Sequence, residues 1–298
     1  MHGEGKPFFT LVWFGSCHTP YSGLAEDVAA YKDVAHEPTR NRFAEITAMD
    51  RAVGSLRKTL RDLKVADNTL VWYCSDNGIG HDPKQSFNGG WREKKGSIYE
   101  GGLRIPGIIE WPAVVKSPRK TSVACVTTDI FPTVLDFLGL SSPDAKRPLD
   151  GVSLRKLIAD NRMTERPQPI GFWKYPANSE QKNERWMDPV LTRGTTPTTS
   201  QAEIDFKNFK HPAAKTEGFG GDAAWTENRY KLVEIGEGRR KAPTESHLEL
   251  YDLLADPREE HDIAAQNPQV VQRMSESLRA WQRSVEVSLT GADYRAAK

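Results

Sequence analysis

The chain has 298 residues, 38% of them hydrophobic and 27% charged, enough for one large domain or a domain with a smaller companion. Its net charge of +1 gives no electrostatic case for nucleic acid or an anionic membrane surface, and no apolar run approaches bilayer-spanning length. Three scattered cysteines, Cys17, Cys74 and Cys125, show neither zinc spacing nor a disulfide framework, and the apolar surroundings of Cys74 and Cys125 predict buried thiols. The polar start Met1–Pro7 leads into Phe8–Phe14, a continuous apolar run that predicts a strand buried on both faces. That run is too short for a signal peptide and lacks a cleavage site. It ends in Gly15-Ser16-Cys17-His18-Thr19-Pro20-Tyr21, where His18, taken alone, reads as a turn histidine bonded to the backbone.

Between Asn41 and Leu63 the apolar residues Phe43, Ile46, Met49, Val53, Leu56, Leu60 and Leu63 recur at three- and four-residue steps, the stripe of an amphipathic helix. Lys64–Asn68 reads as a turn. Thr69–Cys74 then reads as a buried strand that stops at Asp76-Asn77-Gly78. A carboxylate and a carboxamide beyond the carboxyl end of a strand suit a hard cation such as calcium, although Asp-Asn-Gly is also ordinary turn chemistry. Strand, helix and strand in this order predict a parallel sheet with a right-handed crossover, with His18 and Asp76 projecting from one sheet edge.

Gly80–Gly90 reads as a loop. In the following Trp91–Gly102, Lys95 stands against Gly96, where an ammonium can approach an anion closely; a solvated basic turn at Lys94-Lys95 is the plain alternative. Leu103–Pro112 is strand-like. Val123–Leu138 mixes a short strand with a helix that ends at Gly139, with Asp129 near its start stabilising orphan amides. A short helix closes near Asp160, and Pro169–Tyr175 reads as a strand. Ser179–Gly221 is a long polar insertion whose Trp186 and His211 could line a glycan-binding rim, with a plain solvated insertion as the simpler reading. Trp225–Ile235 and Ser246–Leu254 read as antiparallel strands around a charged turn. Gln269–Val287 is an amphipathic helix on Val270, Val271, Met274, Leu278 and Trp281. These elements predict an α/β domain over residues 1–165 and a small α+β subdomain over 166–298.

Four segments taken in order, His18-Thr19-Pro20, Ser75-Asp76-Asn77-Gly78, Lys95–Pro106 and Glu249-Leu250-Tyr251-Asp252-Leu253 with Asp256-Pro257-Arg258-Glu259, resemble the type I, formylglycine-dependent sulfatases of the alkaline-phosphatase-like superfamily. The resemblance runs from Lys6 to about Trp281. It implies an α/β fold with a mainly parallel sheet, followed by an α+β subdomain with an antiparallel sheet and a terminal helix. It also implies hydrolysis of sulfate esters, aryl or carbohydrate. Asp76 and Asn77 match two calcium ligands, Lys95 the lysine that binds the sulfate, and His18 the histidine that contacts the sulfate and the leaving oxygen. Tyr99-Glu100-Gly101-Gly102 is expected to shape the turn that positions Lys95. These roles suit a reaction that develops negative charge on sulfate and leaving-group oxygens.

The sequence departs from the family in three places. It has no C-x-P-x-R nucleophile motif, no Asp-Asp pair and no Lys-Trp-His segment. The expectation is therefore a C-terminal sulfatase part with half a calcium site, inactive alone and exposing apolar surface where a missing N-terminal half belongs. A non-enzymatic accessory fragment and a phosphate or phosphonate ester hydrolase of the same superfamily are the alternatives.

Overall fold

The computed structural model describes residues 6–80, 88–142, 149–174, 219–236 and 247–289. It divides into two compact units, one of residues 1–73 with 108–118, the other of residues 74–107 with 119–298. Among the described residues no helix is long and apolar enough to cross a membrane.

The first unit is organised on two helices, α1 (Ala25–Ala29) and α2 (Glu37–Asp62). Helix α2 starts ahead of its apolar stripe because Glu37-Pro38 opens it: proline presets φ for the first turn, and the carboxylate faces the positive end of the helix dipole. Ala44 and Leu60 are its buried residues, while Ile46, Leu56 and Leu63 of the predicted stripe remain exposed. Asp27 ties α1 to α2 by accepting two hydrogen bonds from Arg51, at 2.8 and 2.7 Å. Strands β1 (Val71–Cys74) and β2 (Gly107–Glu110) pair as a two-stranded sheet. Arg57 of α2 grips Glu110 of β2 with bonds of 2.6 and 3.0 Å. A Cβ added at Gly54, in exposed mid-helix α2, would meet open space. Gly54→Ala is therefore expected to stabilise the chain by about 0.5–1 kcal/mol in urea unfolding, through helix propensity alone.

Two expectations fail here. Phe8–Phe14 forms no strand; it is irregular and exposed, with Trp13 89% accessible. A strand buried on both faces needs a ladder on each side and cover above and below, and no described segment supplies a ladder for this one. The strand–helix–strand unit thus lacks its first strand, and Phe8–Phe14 gives His18 no sheet edge. Cys125, predicted buried, is exposed, whereas Cys74 at the end of β1 is partly buried. Val123–Val126 is irregular, so no strand frames Cys125.

The second unit contains α3 (Glu100–Leu103), α4 (Ile130–Leu138), α5 (Arg155–Asp160), β3 (Ile170–Trp173), β4 (Ala223–Thr226), β5 (Tyr230–Ile235), β6 (His247–Asp252) and α6 (Pro268–Leu289). Helix α4 ends, as predicted, at Gly139, whose φ of 65° is the left-handed cap that glycine adopts without strain. The four strands make an antiparallel sheet in the order β3-β4-β5-β6. The predicted strand Trp225–Ile235 is in fact two, because the chain turns at Glu227–Arg229, where the Glu227 amide bonds the Tyr230 carbonyl at 2.9 Å. Alternation along the strands gives this sheet two covered faces. Ala223, Trp225, Leu232 and Leu250 pack on Met274 and Leu278 of α6. Ala224, Val233, Ile235 and Tyr251 on the opposite face pack on Ile98 and Tyr99. Trp186 and His211 of the predicted insertion lie outside the described residues, as does most of the charged turn after Gly236.

Candidate active site

The segment after β1 and the loop carrying Lys95 are stitched together. The Gly78 amide donates to the Gly102 carbonyl at 2.9 Å, and the Lys95 amide donates to the Ile79 carbonyl at 2.9 Å. Asp76 is exposed and Asn77 partly buried; the Ser75 hydroxyl donates to the Asn77 carbonyl at 3.1 Å and closes the turn. Lys95 and Gly96 are exposed, and Gly96, at φ +87°, has open space where a side chain would stand. Backbone bonds thus bring Asp76-Asn77 and Lys95 into one assembly, and among the described residues the lysine ammonium has no hydrogen-bond or ion-pair partner.

Glycine makes this approach possible. A Cβ at Gly78 would lie 1.9 Å from the Gly101 carbonyl oxygen. At Gly101 it would lie 2.2 Å from the Glu93 oxygen, and at Gly102 2.2 Å from the Ser97 oxygen. Every obstacle is backbone, so no rotamer change relieves the clash. Gly78→Ala is expected to part the Asp76-Asn77 turn from the Lys95 loop. The check is faster amide exchange at Lys95, with the β4–β5 ladder still protected.

His18 belongs to the first unit. It is exposed, its amide donates to the Gly15 carbonyl at 3.1 Å, and its Nδ1 lies 2.9 Å from the Thr19 carbonyl oxygen. A carbonyl only accepts, so Nδ1 carries the hydrogen and Nε2 is the nitrogen left for chemistry. Asp76 and Asn77 are oxygen donors of the right kind for a hard cation, but together they supply two ligands where calcium takes six to eight. Among the described residues, one group of three potential metal-ligating side chains occurs elsewhere: Asp256, Glu260 and His261, with ligand atoms within 4.8 Å of one another. There Asp256 already accepts the Glu260 and His261 amides at 3.1 and 2.8 Å and serves as a turn cap.

Behind the Lys95 loop lies a polar cluster that the sequence reading missed. Lys231 of β5 is fully buried between Glu100 and Glu259, its ammonium 2.8 and 2.7 Å from their carboxylates. The other Glu259 oxygen accepts the Glu100 amide at 2.7 Å. Beside them, Tyr99 and Tyr251 both donate to Glu249, at 2.5 and 2.7 Å. Arg92 lies over the Tyr99 ring at 3.9 Å and donates to the Tyr251 hydroxyl at 2.6 Å and to the Glu259 carbonyl at 3.0 Å. Burial, then the bond to Glu249, pushes both tyrosine hydroxyls well above the usual phenol range. Burial likewise raises the Glu259 carboxyl above its ordinary 4.5, against the pull of Lys231. A carboxyl raised on folding contributes stability that is fully present below 4.5 and fades as pH rises through the folded value. The stability advantage of the native chain over Glu259→Gln is therefore expected to shrink as pH rises above 4.5, as read by urea unfolding across that range. Only the pairing of Glu100 and Glu259 with a lysine at period-two spacing in β5 could have hinted at this cluster.

The model of the family described as Sulfatase matches residues 2–140. N-acetylgalactosamine-6-sulfatase from Sus scrofa is 33% identical over 165 residues, covering 54% of this chain and 30% of the relative. N-acetylgalactosamine-6-O-sulfatase from Bacteroides thetaiotaomicron is 27% identical over 250 residues, covering 79% of this chain and 40% of the relative. The chain thus spans less than half the length of these relatives. Among solved structures, the crystal structure of Ps i-CgsB superposes with a TM-score of 0.66 at 20% identity, over 93% of this chain and 53% of that one, which establishes a shared fold. Residues 2–140 thus match the sulfatase family, and the relatives that the chain resembles are sulfatases.

Proposed function

We propose that this chain is the part of a sulfuric ester hydrolase that carries the sulfate-binding lysine, the leaving-group histidine and one half of the metal site. The observation that carries this reading is the stitched pair of segments that sets Asp76-Asn77 against the Lys95 loop. In this reading the Lys95 ammonium binds the nonbridging oxygens of a sulfate ester and stabilises their charge. His18, protonated on both ring nitrogens, gives the Nε2 proton to the departing alkoxide. The family is generally metal-dependent. Asp76 and Asn77 would hold calcium together with ligands from outside this chain, and the ion would supply positive charge at the sulfate oxygens. The substrate class we assign is a carbohydrate sulfate, on the strength of the two N-acetylgalactosamine-6-sulfatase relatives.

The nucleophile and the remaining metal ligands would come from an N-terminal sulfatase segment, which would also cover the exposed Phe8–Phe14. The test is hydrolysis of a chromogenic aryl sulfate, with calcium, by the chain alone and by the chain co-expressed with an N-terminal sulfatase segment bearing C-x-P-x-R and Asp-Asp. Turnover is expected only in the second sample. Clear turnover by the chain alone, or none in a co-purifying and folded pair, would sink the reading.

A further inference from the structure

We infer that Lys231 and Glu259 are positioning residues for Lys95: they form a buried ionic node that fixes the spacing between the Lys95 loop and the Asp76-Asn77 turn. This rests on the proposed role of Lys95. The node sits on the sheet face that the loop covers. In β5 the side chains alternate, so Leu232 and Glu234 face α6 while Lys231, Val233 and Ile235 face Ile98 and Tyr99. Lys231 is opposite Tyr251 of β6 in register and has no exposed surface. A lysine there costs several kcal/mol unless its charge is met, and Glu100 and Glu259 meet it.

Both anchors reach the site through the backbone. Glu100 opens α3, and Glu259 accepts the Glu100 amide itself. In the next two residues, the Gly101 amide bonds the Arg92 carbonyl at 2.8 Å and the Gly102 amide bonds the Tyr99 carbonyl at 2.9 Å. The Gly102 carbonyl then receives Gly78, the residue directly after Asp76-Asn77. Any shift of Glu100 is therefore passed to Gly102, and from Gly102 to the turn that carries the candidate metal donors. Arg92, at the other end of the loop, is held from the same side by Tyr251 and the Glu259 carbonyl. Lys95 is suspended between Arg92, fastened to β6 and the turn after it, and Glu100, fastened to β5 and that same turn. Glu259 adopts φ +59°, a backbone state that bulky residues rarely take and that surrounding contacts must hold. Here those contacts are the Asp256 carbonyl, which accepts the Glu259 amide at 3.2 Å, Arg92 on the Glu259 carbonyl, the ion pair and the Glu100 amide.

The experiment compares the native chain with Lys231→Met, Lys231→Arg, Glu259→Gln and Glu234→Gln. Glu234→Gln strips charge from the buried end of a pair with the partly buried Arg279 on the opposite face of the same strand, and controls for loss of stability alone. Amide exchange is followed at Gly78, Lys95, Gly101 and Gly102, and at the β4–β5 ladder. Lys231→Met and Glu259→Gln are expected to speed the four loop amides about tenfold or more relative to the ladder. Lys231→Arg is expected to restore most of the protection, and Glu234→Gln to leave the ratio of loop to ladder unchanged. If loop and ladder exchange rise together in Glu259→Gln, or if the loop amides do not respond, the node is a stability element only and the inference falls. Should Lys231→Met fail to fold, Glu259→Gln decides. Amide exchange needs neither substrate nor metal. Failure of the sulfatase reading would instead show in the aryl sulfate assay, so the two outcomes are distinct.

Discussion

In the enzyme reconstituted with its N-terminal segment, Lys95→Ala is expected to lower kcat for an aryl sulfate by about 10²–10³-fold, the cost of removing one preorganised charge-stabilising donor. Lys94→Ala is expected to leave the rate within about threefold of native. The contrast follows from local geometry. Both ammonium groups are exposed, but the Lys95 backbone is fastened to Ile79, next to the Asp76-Asn77-Gly78 turn. Lys94 instead uses its carbonyl to accept the Ser97 amide at 3.0 Å, inside the loop's own turn. Lys95→Arg keeps the charge but replaces a compact ammonium with a larger planar fork, and an intermediate loss is expected. If Lys95→Ala and Lys94→Ala have equal small effects, the lysine belongs to a solvated basic turn and the assigned role is lost.

The parts of the fold that could be read from the sequence are those whose signals are local. Helices α2 and α6 announced themselves by stripes at helical spacing, α4 by its terminal Gly139, and β1 by an apolar run ending in turn residues. Most of the misses have a common cause, which is that they depend on partners distant in the chain. Phe8–Phe14 has the composition of a buried strand, yet a strand exists only with its ladder, and no described segment provides one. Trp225–Ile235 reads as one run only if the four successive polar residues Thr226–Arg229 are passed over; that break in alternation is where the chain turns. Lys231 and Glu234, three residues apart, point to opposite faces of β5, and because both faces of this sheet are covered, both residues are buried against opposite charges. Period-two patterning distinguishes the two faces of a strand but not which of them meets water. The candidate site shows the same division. Asp76, Asn77 and Lys95 stand out in the sequence as candidates because their polar groups sit beside turn residues and match the sulfatase resemblance. The glycine contacts that lock them together, and the ionic node beneath, appear only with the backbone in place.

Asp129 carries the second large expected effect, on stability. The sequence places it at a helix start, and it does lie just ahead of α4, its carboxylate accepting the Val126 amide at 2.9 Å. Its larger role is the buried pair with Arg166, a two-bond contact at 2.6 and 2.8 Å in which both side chains are essentially inaccessible. The same carboxylate accepts the Val152 amide at 2.8 Å, so one group holds together the start of α4, the Gly151-Val152 segment and the approach to β3. Gly151 permits this contact, since a Cβ there would lie 2.0 Å from the Thr128 carbonyl oxygen. Asp129→Ala strands a buried guanidinium and two amides, and Arg166→Met strands a buried carboxylate. Each is expected to cost about 3–5 kcal/mol in urea unfolding, a large share of the ~5–15 kcal/mol that a typical domain possesses. The double variant removes both charges but still leaves the Val126 and Val152 amides without their acceptor. It should therefore be less destabilised than the sum of the singles, yet not neutral, retaining a deficit of about 1–3 kcal/mol. Additive losses would show that the two charges are not coupled, and singles within about 0.5 kcal/mol of native would show that the pair does not hold this region together.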